Sequence, residues 1–510
     1  MSQAEASKDI NALAKGGRTN MLGFIIRLVA RLPFLFIAGR AYGPEIVGRY
    51  AIAVLVIEFV ALVATLGLKR GLAQALSSTD RPHTHVVWDA MVVAFVAALI
   101  ASGIMMVFPQ AMFPNSPVMG LERFLSIAVI AIALSDVSLS ALAYRHNIGA
   151  AVTARAIIEP WTISIAAYVF SFVSTRDGLL MAYLLSMSAA LVASIVPFVR
   201  EYGLPVGWRP QPAEIWGLAR LNAPLAGADA IEWATRNVDR FILGLLFAPS
   251  VVGIYYMAQQ VASVPQRLKS SFDPILGPVI TQSLAAGDRP AVANQVRQVG
   301  FWILCAQAGL AVMFSIPAEG VMGLLGREFV IGSAVLCILL FAEVLASPGA
   351  VCETALIYIA RHTNLAISIC VLMLQIALSF VLIFLARGQG WPVPVQSAAP
   401  AVALALSLTI GSVAKGLLLR AKLGAPVVSI RPSFFTAMAV AGLVGAAFMS
   451  LPHRYEWAQM SLGMPAILIT FLYVIIRFGF GPEDRALFRK VPKAEVMAGE
   501  GQPVHKAPHQ

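Results

Sequence analysis

The chain has 510 residues, 59% of them hydrophobic and only 12% charged, with a net charge of +11 and a mean hydropathy of +0.79. An ordinary soluble domain carries about 25% charged residues, so a water-soluble enzyme or binding module is excluded. A polytopic helical membrane protein fits, because a hydrocarbon slab of about 30 Å is crossed by roughly 20 mostly apolar residues.

In chain order, apolar runs predict spans over residues 21–39, 47–68, 86–108, 121–143, 156–175 and 179–199. A second set follows at 221–247, 251–280, 299–317, 331–359, 364–386 and 396–418, then a last pair at 433–451 and 461–478. That makes an all-α chain of fourteen transmembrane helices. The eighth carries Pro265, Arg267, Lys269 and Pro274 and is expected to run into water, and the tenth is expected to bend at Pro348. The first 20 residues lack the apolar core and cleavage site of a signal peptide, so no cleavage is expected. With the N-terminus inside, most of the 37 basic residues fall in cytoplasmic segments. The basicity then calls for anionic lipid as partner and for no nucleic acid.

The stretch FIAGRAYGPEIVGRY, from Phe36 to Tyr50, returns as FILGLLFAPSVVGIY from Phe241 to Tyr255. Seven of fifteen positions are identical, and Arg31 falls on Arg236 at the same offset. A period of 205 residues is too long for a solenoid. An even number of spans separates the copies, so they run the same way through the membrane as parallel repeats, the design of transporters that rock two lobes about a site between them. The expected organisation is an N-terminal lobe (1–199), a cytoplasmic linker (200–220), a C-terminal lobe (221–420), an extra helix pair (421–480) and a cytoplasmic tail (481–510). The linker is expected to be an irregular interfacial strap and the tail disordered. Within the repeat, Pro44 and Pro249 suit a first helical turn, Gly48 and Gly253 permit close approach, and Tyr50 and Tyr255 suit interface depth. This is the chemistry of a turn joining two helices and implies no substrate role.

The segments GPEIVGRYAIAVLVIEFVALVATLGLKRGLAQAL and VDRFILGLLFAPSVVGIYYMAQQVASVPQRL resemble the Wzx-type polysaccharide and O-antigen flippases of the multidrug/oligosaccharidyl-lipid/polysaccharide exporter superfamily. The resemblance implies a V-shaped, two-lobed bundle of the bacterial inner membrane, and the bias of basic residues places both termini in the cytoplasm. Such a carrier moves undecaprenyl-pyrophosphate-linked oligosaccharides between leaflets for exopolysaccharide or lipopolysaccharide assembly. It also implies a monomer without cofactor, beside a polysaccharide polymerase or export machinery. A lipid II flippase and a drug/cation antiporter are rivals from the same superfamily, though an antiporter normally has twelve helices and a less basic cavity. A membrane glycan polymerase or glycosyltransferase is the rival of another class, but no long outer loop is expected here, and no GxxxxGK[ST] phosphate loop is present.

Charges inside the slab mark candidate sites, since an ionisable group at mid-depth costs several kcal/mol, of order 3 on insertion scales. Arg27 and Arg31 lie about 9 and 15 Å from the inner end of the first span, one turn apart on one face. The seventh span carries Asp229, Glu232, Arg236, Asp239 and Arg240 within an arc of roughly 100°, a single charged stripe expected to face the central cavity. For the pyrophosphate that the resemblance implies, arginine is the suitable residue, charged at any depth and able to bind phosphate oxygens bidentately. Arg27, Arg31, Arg236 and Arg240, with the acids Asp229, Glu232 and Asp239, are therefore the candidate substrate-binding residues. The alternative is that the acids neutralise the arginines and tie the lobes together. Glu58, Asp136 and Glu343, with Glu159 and Glu353, are candidates for ion coupling or for interhelical hydrogen bonds. Cys305, Cys337, Cys352 and Cys370 read as small buried hydrophobes, and no His or Cys spacing suggests a metal site.

Overall fold

In lipid a segment satisfies its backbone only through hydrogen bonds within itself or within a closed barrel, and apolar runs of this length take the first course. The computed structural model describes residues 30–118, 120–269, 273–452, 458–481 and 484, and every regular element among them is helical. Residues 30–37 and the π-helical turn Ala38–Tyr42 form the described part of the first span. There follow α1 (Gly43–Ala64), α2 (Leu68–Ser77), α3 (His83–Val107), α4 (Ala128–Tyr144), α5 (Glu159–Ser171), α6 (Gly178–Tyr202), α7 (Pro212–Leu246) and α8 (Pro249–Lys269). Further along come α9 (Asp273–Ala285), α10 (Arg289–Ser315), α11 (Ser333–Ile359), α12 (Arg361–Gly388), α13 (Val393–Leu423), α14 (Pro432–Met449) and α15 (Met464–Val474), with the short helices Ile148–Val152 and Ala318–Leu325 between longer ones.

All fourteen expected spans have helical counterparts. Among the described residues, ten stretches are long and apolar enough to cross a membrane, and one of them, Ala30–Ser77, contains two expected spans. The fifth, seventh and eighth expected spans fall outside that set. The fifth begins within the π-helical stretch Thr153–Ile158, α7 carries the charged stripe, and the eighth is divided into α8 and α9. Helix α11 runs through Pro348, beside which Gly349 N–H donates to Ser412 Oγ of α13 at 2.8 Å.

At 35 residues, α7 is about 52 Å long. It begins at Pro212 after an extended Gln211, a residue suited to a first turn. Residues 212–220 were expected to be irregular. They are helical because Ile215, Leu218 and Ala219 pack onto a cluster of first-half side chains that includes Leu72, Leu76 and Phe198. Helices α3, α4, α5 and α6 pack among themselves, as do α10, α11, α12 and α13, while α1 lies along α8 and joins the two halves. Helices α14 and α15 pair with each other and rest on α10. Beyond them the buried carboxylate of Asp484 accepts from Trp302 Nε1 at 3.0 Å, Gln298 Nε2 at 3.2 Å and Arg431 Nη1 at 2.6 Å. The tail otherwise lies outside the described residues beyond Gly481.

At one end of the bundle the two copies of the repeated motif meet. A Cβ on Gly48 would fall on the Pro249 carbonyl oxygen, and one on Gly253 would fall on the Pro44 carbonyl oxygen. The contact is thus backbone on backbone and reciprocal. Asn115 of the first half donates to Gly244 O at 2.6 Å and Phe247 O at 3.1 Å in the second half. Arg40 Nε donates in return to Leu324 O at 2.9 Å. The loop holding Asn115 is itself fixed to α1, where Arg49 pairs with the buried Glu122 and donates to Pro117 O at 3.3 Å. We call this the clasp end. At the other end, Gly67 takes the left-handed conformation, φ +77°, between α1 and α2, and a side chain there would meet Asn222 O and Ala226 N of α7. The 22 positions of α7 from Asn222 to Gly244 separate the two closures by about 33 Å, close to a bilayer core.

Candidate functional site

The charged stripe on α7 is not uniform. Nearest the Gly67 end, Asp229 is 6% exposed and lies 2.8 Å from Arg70 Nε of α2, although the N–H is not aimed at its Oδ1. Arg70 Nη2 donates to Glu232 Oε2 at 2.8 Å. One turn on, Arg236 is half accessible and 4.0 Å from the other oxygen of Glu232. Asp239 is fully buried and turned into the seam with α8, where Tyr255 Oη donates to it at 2.6 Å and Gln259 Nε2 at 3.4 Å. Arg240 is 9% exposed. It donates to Asn237 Oδ1 and lies over the Tyr256 ring, 5.5 Å from its centroid, while its Nε has no hydrogen-bond acceptor among the described residues.

Glu58 of α1 is accessible although Leu55 and Ile57 beside it are buried, and it lies within electrostatic range of Arg240, Glu159, Arg31 and Arg155. The Tyr256 ring under Arg240 packs against Tyr50 of α1, centroids 6.1 Å apart. A first-half arginine, Arg31, and a second-half arginine, Arg240, are thus both within range of one carboxylate at the seam between the halves. Arg27 lies outside the described residues.

Asp136, the second ion-coupling candidate, is tied into the first half: Lys69 Nζ is 3.1 Å from its Oδ2, and Arg155 pairs with its Oδ1. Arg155 also donates to Glu159 at 2.9 Å. Glu343 is part-buried on α11. On the same helix Glu353 pairs with Lys415 of α13 at 3.1 Å. Cys305 and Cys352 are buried, Cys337 is partly so, and Cys370 is exposed. Among the described residues no group of His, Cys, Asp or Glu side chains could hold a metal ion.

The residues that sequence reasoning passed over are Lys69, Arg70 and Arg155. Lys69 and Arg70 follow directly on the expected end of the second span and Arg155 precedes the fifth, so hydropathy assigns all three to water-facing ends. The signals that could have singled them out are Gly67 just before the Lys-Arg pair and the i,i+4 spacing of Arg155 and Glu159.

The sequence profile of the family described as polysaccharide biosynthesis protein matches residues 39–329. No curated protein is detectably similar in sequence. Among solved structures, a lipid II flippase MurJ in an inward closed conformation superposes with a TM-score of 0.70 at 13% identity, covering 90% of this chain and 100% of its own. A multidrug resistance MATE family transporter of the MOP superfamily gives 0.55 in its inward-facing conformation, at 13% identity, covering 83% of this chain and 95% of its own. An outward-facing MATE family transporter gives 0.53, again at 13% identity, with 82% and 96% covered. At such identities the likeness is one of fold: a multi-pass helical membrane bundle.

Proposed function

Because the chain belongs to the polysaccharide biosynthesis protein family, we propose that it is a flippase carrying polyprenyl-diphosphate-linked oligosaccharide across the bacterial inner membrane by alternating access, for exopolysaccharide or lipopolysaccharide assembly. The observation that carries this reading is Arg240, 9% exposed over the Tyr256 ring at the seam of the halves, whose Nε has no acceptor among the described residues and which acts on Glu58 together with Arg31 of the first half. A guanidinium in that condition gains most from a ligand that brings paired oxygens. Arg236, half accessible about 6 Å along α7 from Arg240, extends the same cationic track. Asp239, turned away against Tyr255, serves in the α7/α8 seam and not as a direct contact. The clasp end is the outer face and the Gly67 end the cytoplasmic one, as the bias of basic residues requires, which leaves both termini inside.

The test is deletion of the gene and complementation. Without the protein, the lipid-linked intermediate accumulates in the cytoplasmic leaflet and surface glycan falls. The wild-type chain restores export, whereas Arg31→Ala or Arg236→Ala at equal membrane abundance restores less than about a tenth of it, the loss expected for one charge-assisted contact. Normal surface glycan in the deleted strain, with no second flippase present, rules the reading out. A second reading, flipping of lipid II, is favoured by the likeness to the lipid II flippase structure. Rescue of peptidoglycan growth in cells depleted of their own lipid II flippase separates the two.

A further inference from the structure

Both closures use close approach at glycine, and they differ in the charge laid across the seam. At the clasp end Arg40 and Asn115 donate to backbone carbonyls of the other half. At the Gly67 end, besides the glycine and apolar contacts, an ion-paired contact joins the halves: one guanidinium, Arg70, held by two carboxylates of the other half, Asp229 and Glu232, at 2.8 Å each. The pair is an imperfect one. Arg70 is 55% accessible at its side chain, and the buried Asp229 Oδ1 receives its charge without an aligned N–H. Two carboxylates on one guanidinium copy the charge and the spread of acceptor oxygens that a diphosphate would present to it. Lys69, beside Arg70, has its own acid in Asp136 at 3.1 Å. Arg81 reaches Glu214 of α7 at 3.4 Å but is held by Asp89 of its own half at 2.9 Å, so among the described residues Arg70 is the cation of this end whose two nearest acids both lie across the seam.

Resting on the flippase reading above, we propose that Arg70, Asp229 and Glu232 form an exchangeable latch: the two acids stand in for the cargo's diphosphate and hold the cytoplasmic end shut in the unloaded carrier, and the lipid-linked diphosphate displaces them from Arg70 as it enters. The end is then shut by the acids or loaded by the cargo, never both. Two consequences follow. The empty carrier can close without leaving a bare arginine in the seam, where an uncompensated charge is costly. An anionic headgroup arriving at Arg70 repels Asp229 and Glu232 and parts α2 from α7, so entry of cargo itself opens the door.

Gly71 and Asn222 report on this seam, since a side chain on Gly71 would meet the Asn222 side chain. In purified full-length protein whose four native cysteines are replaced by alanine, Gly71→Cys with Asn222→Cys is expected to form a disulfide readily under mild oxidation. Adding Asp229→Asn and Glu232→Gln slows that cross-linking about fivefold, the scale of a partly exposed ion pair. Exchanging the charges, Arg70→Glu with Glu232→Arg, recovers most of the rate. Geranylgeranyl diphosphate slows cross-linking of the parent several-fold, and geranylgeraniol does not. Binding of the diphosphate lipid is followed separately by its protection against thermal unfolding.

An acid-neutralised variant that cross-links as fast as its parent overturns the latch. Lipid binding that leaves the cross-linking rate unchanged overturns the exchange while leaving the flippase reading intact. No binding by the parent overturns the flippase reading and the exchange with it. Equal slowing by inorganic pyrophosphate at the same concentration overturns the assignment to a lipid headgroup.

Discussion

Tyr50 and Tyr255 occupy the same place in the repeated motif and have different partners. Tyr50 packs on Phe34, ring centroids 5.6 Å apart, whereas Tyr255 donates to Asp239, which stands 205 positions after Phe34. An apolar ring contact in the first half has become a charged hydrogen bond in the second, with the carboxylate fully buried. Removing the donor by Tyr255→Phe leaves Gln259 as that carboxylate's one side-chain hydrogen-bond donor among the described residues, and a loss of about 1–3 kcal/mol in stability is expected. Asp239→Asn in the Tyr255→Phe background recovers part of it, because a neutral amide is less costly to bury than an unpaired charge. Thermal unfolding of the single and double variants in detergent, analysed as a cycle, checks both statements.

Between helices, glycine decides where the halves may touch. Gly48 and Gly253 let α1 and α8 approach until each would-be Cβ coincides with the other helix's backbone, and no larger residue can be accommodated by a change of rotamer. Gly48→Val or Gly253→Val is expected to hold the clasp end apart. Labelling of a cysteine introduced at Ser250 by a membrane-impermeant maleimide should then rise several-fold over the same cysteine in the wild-type background. Unchanged labelling would mean that the two motifs do not form the closure at that end. The repeat and its glycines were legible as close-approach positions, but a single sequence does not say that the two copies approach each other. That follows only once α1 is laid along α8.

For the whole molecule, the C-terminal pair is an attachment with its own anchor. Helices α14 and α15 rest on α10, and Asp484 gathers Trp302, Gln298 and Arg431 around one buried carboxylate. Asp484→Ala leaves the Trp302 and Gln298 donors and the Arg431 charge without it, and is expected to raise hydrogen exchange in residues 432–479 while leaving α1–α6 unchanged. A uniform rise across the chain would contradict a local anchor. The tail was expected to be disordered, and nothing in its composition marks Asp484 as different from its neighbours. Its three partners come from segments more than 50 or 180 positions away.

Hydropathy, periodicity and the repeated motif determined the helical membrane class, the order of the helices, the parallel repeat and the charged stripe of α7, because these depend on the free energy of moving each segment into oil, on geometry within one helix and on likeness between two segments. The tertiary structure decided which charges meet. It sent Asp239 into a helix seam, drew Asp136 into a first-half network with Lys69 and Arg155, brought Arg31 and Arg240 within range of Glu58, and put Arg70 across from Asp229 and Glu232. Span prediction counts a charge as a cost of insertion and assigns it to the nearest water. Whether that cost is offset by a partner 160 residues away depends on distances of a few ångströms that exist only after the halves have packed.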